Sequence, residues 1–145
     1  MDDDSSVREM LARVIESDGH LAWPAANGNE AQAIAAAIPI DLVLMDLGLP
    51  GEDGWETLDT LLRQNPRLIV IVITARTNQR ARAESAGAAA LFEKPLDFTV
   101  LLKRVRKLLS EPPERRRSLV TGANLAARDT SSSRMILKRA EHFFP

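Results

Sequence analysis

Two segments, Ile40 to Asp46 and "RLIVIVIT" from Arg67 to Thr74, constrain this chain more than any other feature. Between their first residues and their last, both are apolar except for Asp41, with no alternation of polar and apolar side chains. A strand with one wet face alternates, whereas a strand covered on both faces does not. Continuous apolar runs of this length therefore fit a parallel sheet sandwiched between helices. The crowding of β-branched residues in the second run argues against a helix there.

The intervening segments supply the helices. Val7, Met10, Leu11, Val14 and Ile15 follow the spacing of one helix face across Ser5 to Asp18, with Ser5 or Ser6 available as cap and Gly19 as terminator. His20 to Ala25 reads as extended, Asn27 to Ala37 as an Ala-rich helix stopped before Pro39, Pro50 to Gly54 as a turn and Trp55 to Gln64 as a helix. After the second apolar run, Thr77 to Ala86 reads as a helix closed by Gly87, Ala89 to Glu93 as extended and Leu96 to Leu109 as a helix. Strands and helices that alternate through short connections predict an α/β class, doubly wound around a parallel sheet.

In such sheets, chemistry collects beyond the carboxyl ends of the strands. Asp46 ends the first apolar run, Thr74 ends the second, and Lys94 follows the last extended piece. Asp2, Asp3 and Asp4 precede the first helix, which would bring them to the same rim. A lone aspartate there is more often a helix cap or turn former. An aspartate, a hydroxyl, a cation and an acidic cluster at matching positions form a far more specific set.

The segments "DDDSSVREML", "DLVLMDLGLPGEDGWE", "VIVITAR" and "FEKPLD", in this order and spacing, resemble the response regulator receiver domain of two-component signalling from about Asp2 to Leu109. The resemblance implies a flavodoxin-like (CheY-like) sheet of strand order 2-1-3-4-5. It implies Asp46 as phosphoacceptor, Thr74 as switch hydroxyl and Lys94 as partner of the phosphoryl group, with a cis peptide before Pro95. Asp2, Asp3, Asp46 and the Gly48 backbone carbonyl would hold Mg²⁺. The implied partners are a sensor histidine kinase or phosphotransfer protein and an output protein the sequence does not name, with a homodimer also compatible.

The chemistry asks for this set independently. A carboxylate that attacks phosphorus meets an anionic group, so negative charge must be neutralised. Mg²⁺ suits two acids plus a carbonyl oxygen, and Lys94 supplies a cation on a long stem. The new phosphoryl oxygens could then accept a hydrogen bond from Thr74, draw its loop inward and bias the packing of neighbouring helices. The aromatic residue that often accompanies this movement would sit three residues before the lysine, where this chain has Leu91; Phe92 falls on the other face. Leu91 reads as a core or interface residue.

Other functions fit less well. Phosphohydrolases that use an aspartyl phosphate carry a second aspartate two residues after the nucleophile, where this chain has Gly48. The chain thus reads as a phosphoacceptor with self-catalysed transfer and dephosphorylation rather than an enzyme with a separate substrate. There is no cysteine, which removes thiolate chemistry and disulfides, and His20 and His142 lack metal-ligand spacing. No basic leader or membrane-length apolar run is evident, so a cytoplasmic location is expected. Trp23 and Trp55 read as packing residues, the basic residues between Lys103 and Lys107 as a solvated helix face, and Arg76 as a residue overhanging the site.

The departure from the family lies at the two ends. Receiver domains place an apolar strand directly before the acidic pair, and here that pair follows Met1. Strand 1 of the expected order is therefore missing from the sequence as read. The preferred reading is that the frame begins upstream, with Met1 where the family commonly has Val; the rival is a shortened protein in which another segment fills the gap. Residues 1–110 form the receiver unit and 111–145 a more basic linker and tail, containing "EPPERRR" and "DTSSS". Within the tail, Ser118 to Thr121 or Met135 to Leu137 could add a strand, while residues 134–144 read as an amphipathic helix. The tail is too short for an ordinary DNA-binding domain and shows no helix-turn-helix pattern, so DNA binding by this chain is not expected. The alternative to a signalling receiver is a truncated or degenerate one that acts only by protein binding or is non-functional.

Overall fold

A computed structural model of the chain describes residues 5–48, 53–112 and 135–139. Helix α1 (Ser5–Ser17) ends at Gly19, whose φ of 86° suits a glycine, and leads into strand β1 (His20–Pro24). Helix α2 (Gly28–Ala37) is capped by Asn27, whose side chain accepts from the Glu30 amide, while Glu30 accepts from the Ala26 amide. Strand β2 (Leu42–Asp46) follows, then α3 (Gly54–Gln64), capped by Asp53. Strand β3 (Ile69–Thr74), helix α4 (Arg80–Ala86), strand β4 (Ala90–Glu93) and helix α5 (Phe98–Ser110) complete the alternation.

The element types match the reading up to Ser110, with two helix starts shifted by more than one residue. Helix α4 begins at Arg80 rather than Thr77 because Asn78 adopts φ 59°, a left-handed conformation that an α-helix does not contain. Helix α5 begins at Phe98 rather than Leu96 because the Asp97 side chain accepts from the Thr99 and Val100 amides and fixes the first turn.

All residues of β2 and β3 are buried, as uninterrupted apolar runs require. They are parallel, with Leu42 opposite Ile69 and Asp46 opposite Ile73, and β4 continues in parallel beside β3. Helix α2 packs on α3 and α3 on α4, whereas the end of α1 is tied to α5 by the Arg106 guanidinium on the Asp18 carboxylate. Leu11 and Ile15 of α1, Leu58 and Leu61 of α3, and Leu101 and Val105 of α5 bury fully or almost fully against the sheet. Each such side chain contributes about 1.5–3 kcal/mol of transfer free energy. Among the described residues no helix is long and apolar enough to cross a membrane.

The tail departs from the helix expected over residues 134–144. Met135–Arg139 is strand β5, and the remainder of that segment lies outside the described residues. The sheet order is β1-β5-β2-β3-β4, so β5 occupies the interior position expected for strand 1. It runs antiparallel to both neighbours, pairing with β1 from His20–Arg139 to Pro24–Met135 and with β2 from Leu42–Leu137 to Leu44–Met135. The physical reason lies in the edges: a gap between β1 and β2 would leave two rows of backbone donors and acceptors unpaired inside the protein, and a short apolar segment can satisfy both. The filling-segment alternative thus has a structural counterpart, in a sheet that is mixed rather than wholly parallel.

Candidate functional site

Because β2, β3 and β4 are parallel and adjacent, their last residues reach one rim. Asp46 closes β2, Thr74 closes β3 opposite Glu93, and Lys94 follows β4, its amide donating to the Thr74 carbonyl at 2.9 Å. The sheet therefore fixes the spacing of three side chains that are far apart in sequence.

The Asp46 residue is only 4% exposed. A carboxylate this buried needs partners, and among the described residues two groups donate to it. The Lys94 ammonium donates to Oδ2 at 3.2 Å from the more open side, with a quarter of the lysine side chain exposed. The Gly48 amide donates to Oδ1 at 2.7 Å. A methyl group built on Gly48 would lie 3.2 Å from Oδ1, so glycine lets the loop fold back this closely over the carboxylate. Thr74 is fully buried, and its hydroxyl oxygen accepts from the Arg76 amide at 3.0 Å. This bond ties the hydroxyl to the start of the chain segment that leads into α4.

Asp46, Thr74, Lys94 and Gly48 are therefore brought to one rim. Asp2 and Asp3 lie outside the described residues, as does most of the Pro50 to Gly54 turn. The Lys94–Pro95 peptide is cis. Arg76 is exposed, and the bond it contributes to the site comes from its backbone rather than its guanidinium. Leu91 and Phe92 are both buried, so Leu91 is a core residue in this structure.

Two contributors were not evident from sequence. The buried Gly54 brings the first turn of α3 against Leu47, immediately after Asp46; a Cβ there would stand 2.8 Å from Leu47 Cδ2 and 3.2 Å from Leu47 Cα. "DG" before a helix signals a cap and gives no hint of that close approach. Trp55, read as a packing residue, has the Arg82 guanidinium 4.7 Å over its ring, a contact between α3 and α4 that no local spacing could reveal.

At this rim the Asp46 carboxylate offers oxygen to a cation, and the Gly48 carbonyl is the further oxygen ligand expected from the sequence. No group of three histidine, cysteine or acidic side chains that could hold a metal occurs among the described residues, which do not include Asp2 and Asp3. The oxygen-only character of this set fits a hard cation. A separate cavity, lined by Ala35, Pro39, Asp41, Leu61 and Arg67, lies at the amino ends of β2 and β3 and takes no part in this arrangement.

Comparison with known proteins agrees with the geometry. The family model described as response regulator receiver domain matches residues 1–106. Sporulation initiation phosphotransferase F of Bacillus subtilis is 32% identical over 111 residues, covering 75% of this chain and 90% of the relative. Other curated relatives are longer, and the chain spans 25% of one and 56% of another. Among solved structures, a CheY-like receiver domain protein from Methanospirillum hungatei superposes with a TM-score of 0.71 at 28% identity, covering 79% of this chain and 92% of that one. The response regulator TrrA from Thermotoga maritima, solved in complex with Mg²⁺ and BeF, gives 0.66 at 28% identity, with coverage of 72% and 91%.

Proposed function

This chain belongs to the response regulator receiver domain family, and from that membership we propose that Asp46 accepts a phosphoryl group from a histidine kinase or phosphotransfer protein and that Thr74 and Lys94 respond to it. The observation that carries the proposal is the Asp46 carboxylate, buried at a strand end with Lys94 at 3.2 Å and the Thr74 hydroxyl on the adjacent strand end.

In the transfer, a carboxylate oxygen of Asp46 forms a bond to phosphorus while the bond from phosphorus to the donor's imidazole nitrogen breaks. The imidazole keeps that electron pair. Lys94 offsets the charge of the incoming group from the opposite side, and the Gly48 amide holds the other carboxylate oxygen in place. Mg²⁺, held by Asp2, Asp3, Asp46 and the Gly48 carbonyl, would supply further neutralisation of negative charge. The Thr74 hydroxyl, which accepts from the Arg76 amide, then donates its own proton to a phosphoryl oxygen, and its inward movement draws along the segment bonded to it through Arg76. The output is a change of surface recognised by a partner in the cytoplasm.

The test is incubation with Mg²⁺ and acetyl phosphate followed by intact-mass measurement. An acid-stable, base-labile phosphoryl adduct in the wild type, absent in Asp46→Asn and after chelation of the metal, supports the reading. A folded, Mg²⁺-binding wild type that gains no more adduct than Asp46→Asn refutes it and favours a receiver that acts by binding alone.

A further inference from the structure

Helix α4 is seven residues long and buries only Ala83. Two of its contacts with α3 bear on its position. At its carboxyl end, Gly87, with φ 90°, comes so close to Leu62 that a Cβ would lie 3.0 Å from Leu62 Cδ1. Near its start, the exposed Arg82 places its guanidinium 4.7 Å over the half-buried ring of Trp55. The two partners of this stack connect to the two halves of the phosphoacceptor site. Trp55 is the second residue of α3, its amide bonded to the Asp53 cap, and the residue before it packs on the backbone of Leu47 beside Asp46. Arg82 belongs to the helix reached from Thr74 through Arg76.

From this placement we propose that the Arg82–Trp55 stack is a positioning contact that holds α4 in its resting place against α3, and that loading of Asp46 releases it. The inference rests on the phosphoacceptor reading and adds to it the point at which this chain resists its own switch. A seven-residue helix with one fully buried residue has little apolar burial to hold it, so a surface contact adds measurably to what opposes its movement. The opposition is set by differential stability of the resting state, and weakening it favours the loaded state by the same factor.

The stack also makes the switch optically readable, because a guanidinium over an indole face alters the emission of that indole. In a Trp23→Phe background Trp55 is the only tryptophan. Adding Mg²⁺ and beryllofluoride, a phosphoryl mimic, to this full-length chain should change Trp55 emission saturably. Arg82→Ala should start near the emission of the loaded state, lose most of the change, and reach half-loading at about a 2- to 5-fold lower beryllofluoride concentration, the factor expected for one exposed cation–π contact. Loading of this variant is followed by the chemical shift of bound fluoride rather than by the tryptophan. Arg82→Lys, which keeps a cation, should fall between the two.

Equal midpoints and equal emission changes in wild type and Arg82→Ala would overturn the proposal. So would a wild type that takes up phosphoryl at Asp46, by mass, without any response from Trp55; in that case the phosphoacceptor reading stands and the stack is structural decoration. A wild type that neither gains the adduct nor binds beryllofluoride overturns both.

Discussion

Replacing Gly54 by alanine tests whether the start of α3 positions the phosphoacceptor. In an ordinary helix, Gly→Ala stabilises by about 0.5–1 kcal/mol, and the gain is smaller in the first turn, where Gly54 lies. Here the added Cβ would meet Leu47 Cδ2 at 2.8 Å and Leu47 Cα at 3.2 Å. Rotation of the leucine side chain can relieve the first contact. The second involves backbone, so either α3 or the chain at Leu47 must yield by a few tenths of an ångström, and overpacking of this kind costs about 1–3 kcal/mol. The net expectation is a loss of about 1–2 kcal/mol, measured by urea unfolding. The shift is transmitted to the residue before Leu47, which is Asp46. Phosphoryl uptake from acetyl phosphate should therefore slow several-fold even at temperatures where the variant is fully folded. Gly19→Ala is the control: it has φ 86° and nothing within 4 Å of its would-be Cβ, so it should lose about 1 kcal/mol through backbone strain alone with no change in uptake rate. A Gly54→Ala protein as stable as wild type, or one whose uptake rate matches that of Gly19→Ala, would refute the reasoning.

Lys94→Met leaves the buried Asp46 carboxylate with the Gly48 amide but without its cation, and should lower stability by about 1–3 kcal/mol and phosphoryl uptake at least tenfold, by urea unfolding and intact mass. The Arg106 guanidinium, hydrogen-bonded to Asp18, holds that carboxyl below its ordinary value of 3.8. A carboxyl with a depressed folded-state value stabilises the fold above its unfolded value and loses that contribution as the pH falls. Wild type should therefore be more stable than Arg106→Gln at neutral pH, and the gap should close below pH 3.8 in thermal melts. Ile136→Pro removes a backbone donor from an interior strand and should speed amide exchange across His20–Pro24; unchanged exchange there would remove β5 from the slot.

The parts of this molecule legible in its sequence are those governed by local rules that point the same way. An unbroken apolar run, rich in β-branched residues and set between helices, fits a covered strand, and a polar residue at its end then stands at the rim; Asp46 and Thr74 were readable for that reason. Lys94 followed from the same logic applied to a shorter strand. The start of α4 was not readable, since the spacing of Thr77 to Ala86 allows a helix throughout and only the left-handed Asn78 forbids it. Arg82 over Trp55 and Gly54 against Leu47 are products of how α3 lies on its neighbours, and neither leaves a periodic trace.

The tail shows the same limit from the other side. "RMILKRAEHFF" carries too short an apolar run for periodicity to separate helix from strand, so what decides is the need of its surroundings. The edges of β1 and β2 ask for a strand, and Met135–Arg139 takes that form. The described pairing between β5 and β2 covers Leu42 to Leu44, and pairing between β2 and β3 covers Leu42 to Asp46, with Met45 opposite Val72 and Asp46 opposite Ile73. The Leu47 amide extends that ladder by donating to the Ile73 carbonyl at 3.2 Å. The backbone carrying the phosphoacceptor is thus registered by β3, the strand that also carries Thr74. A disturbance of β5 should reach β1 and the first half of β2 before it reaches Asp46, so the order in which amides lose protection separates the strand that completes the sheet from the strand that aligns the chemistry.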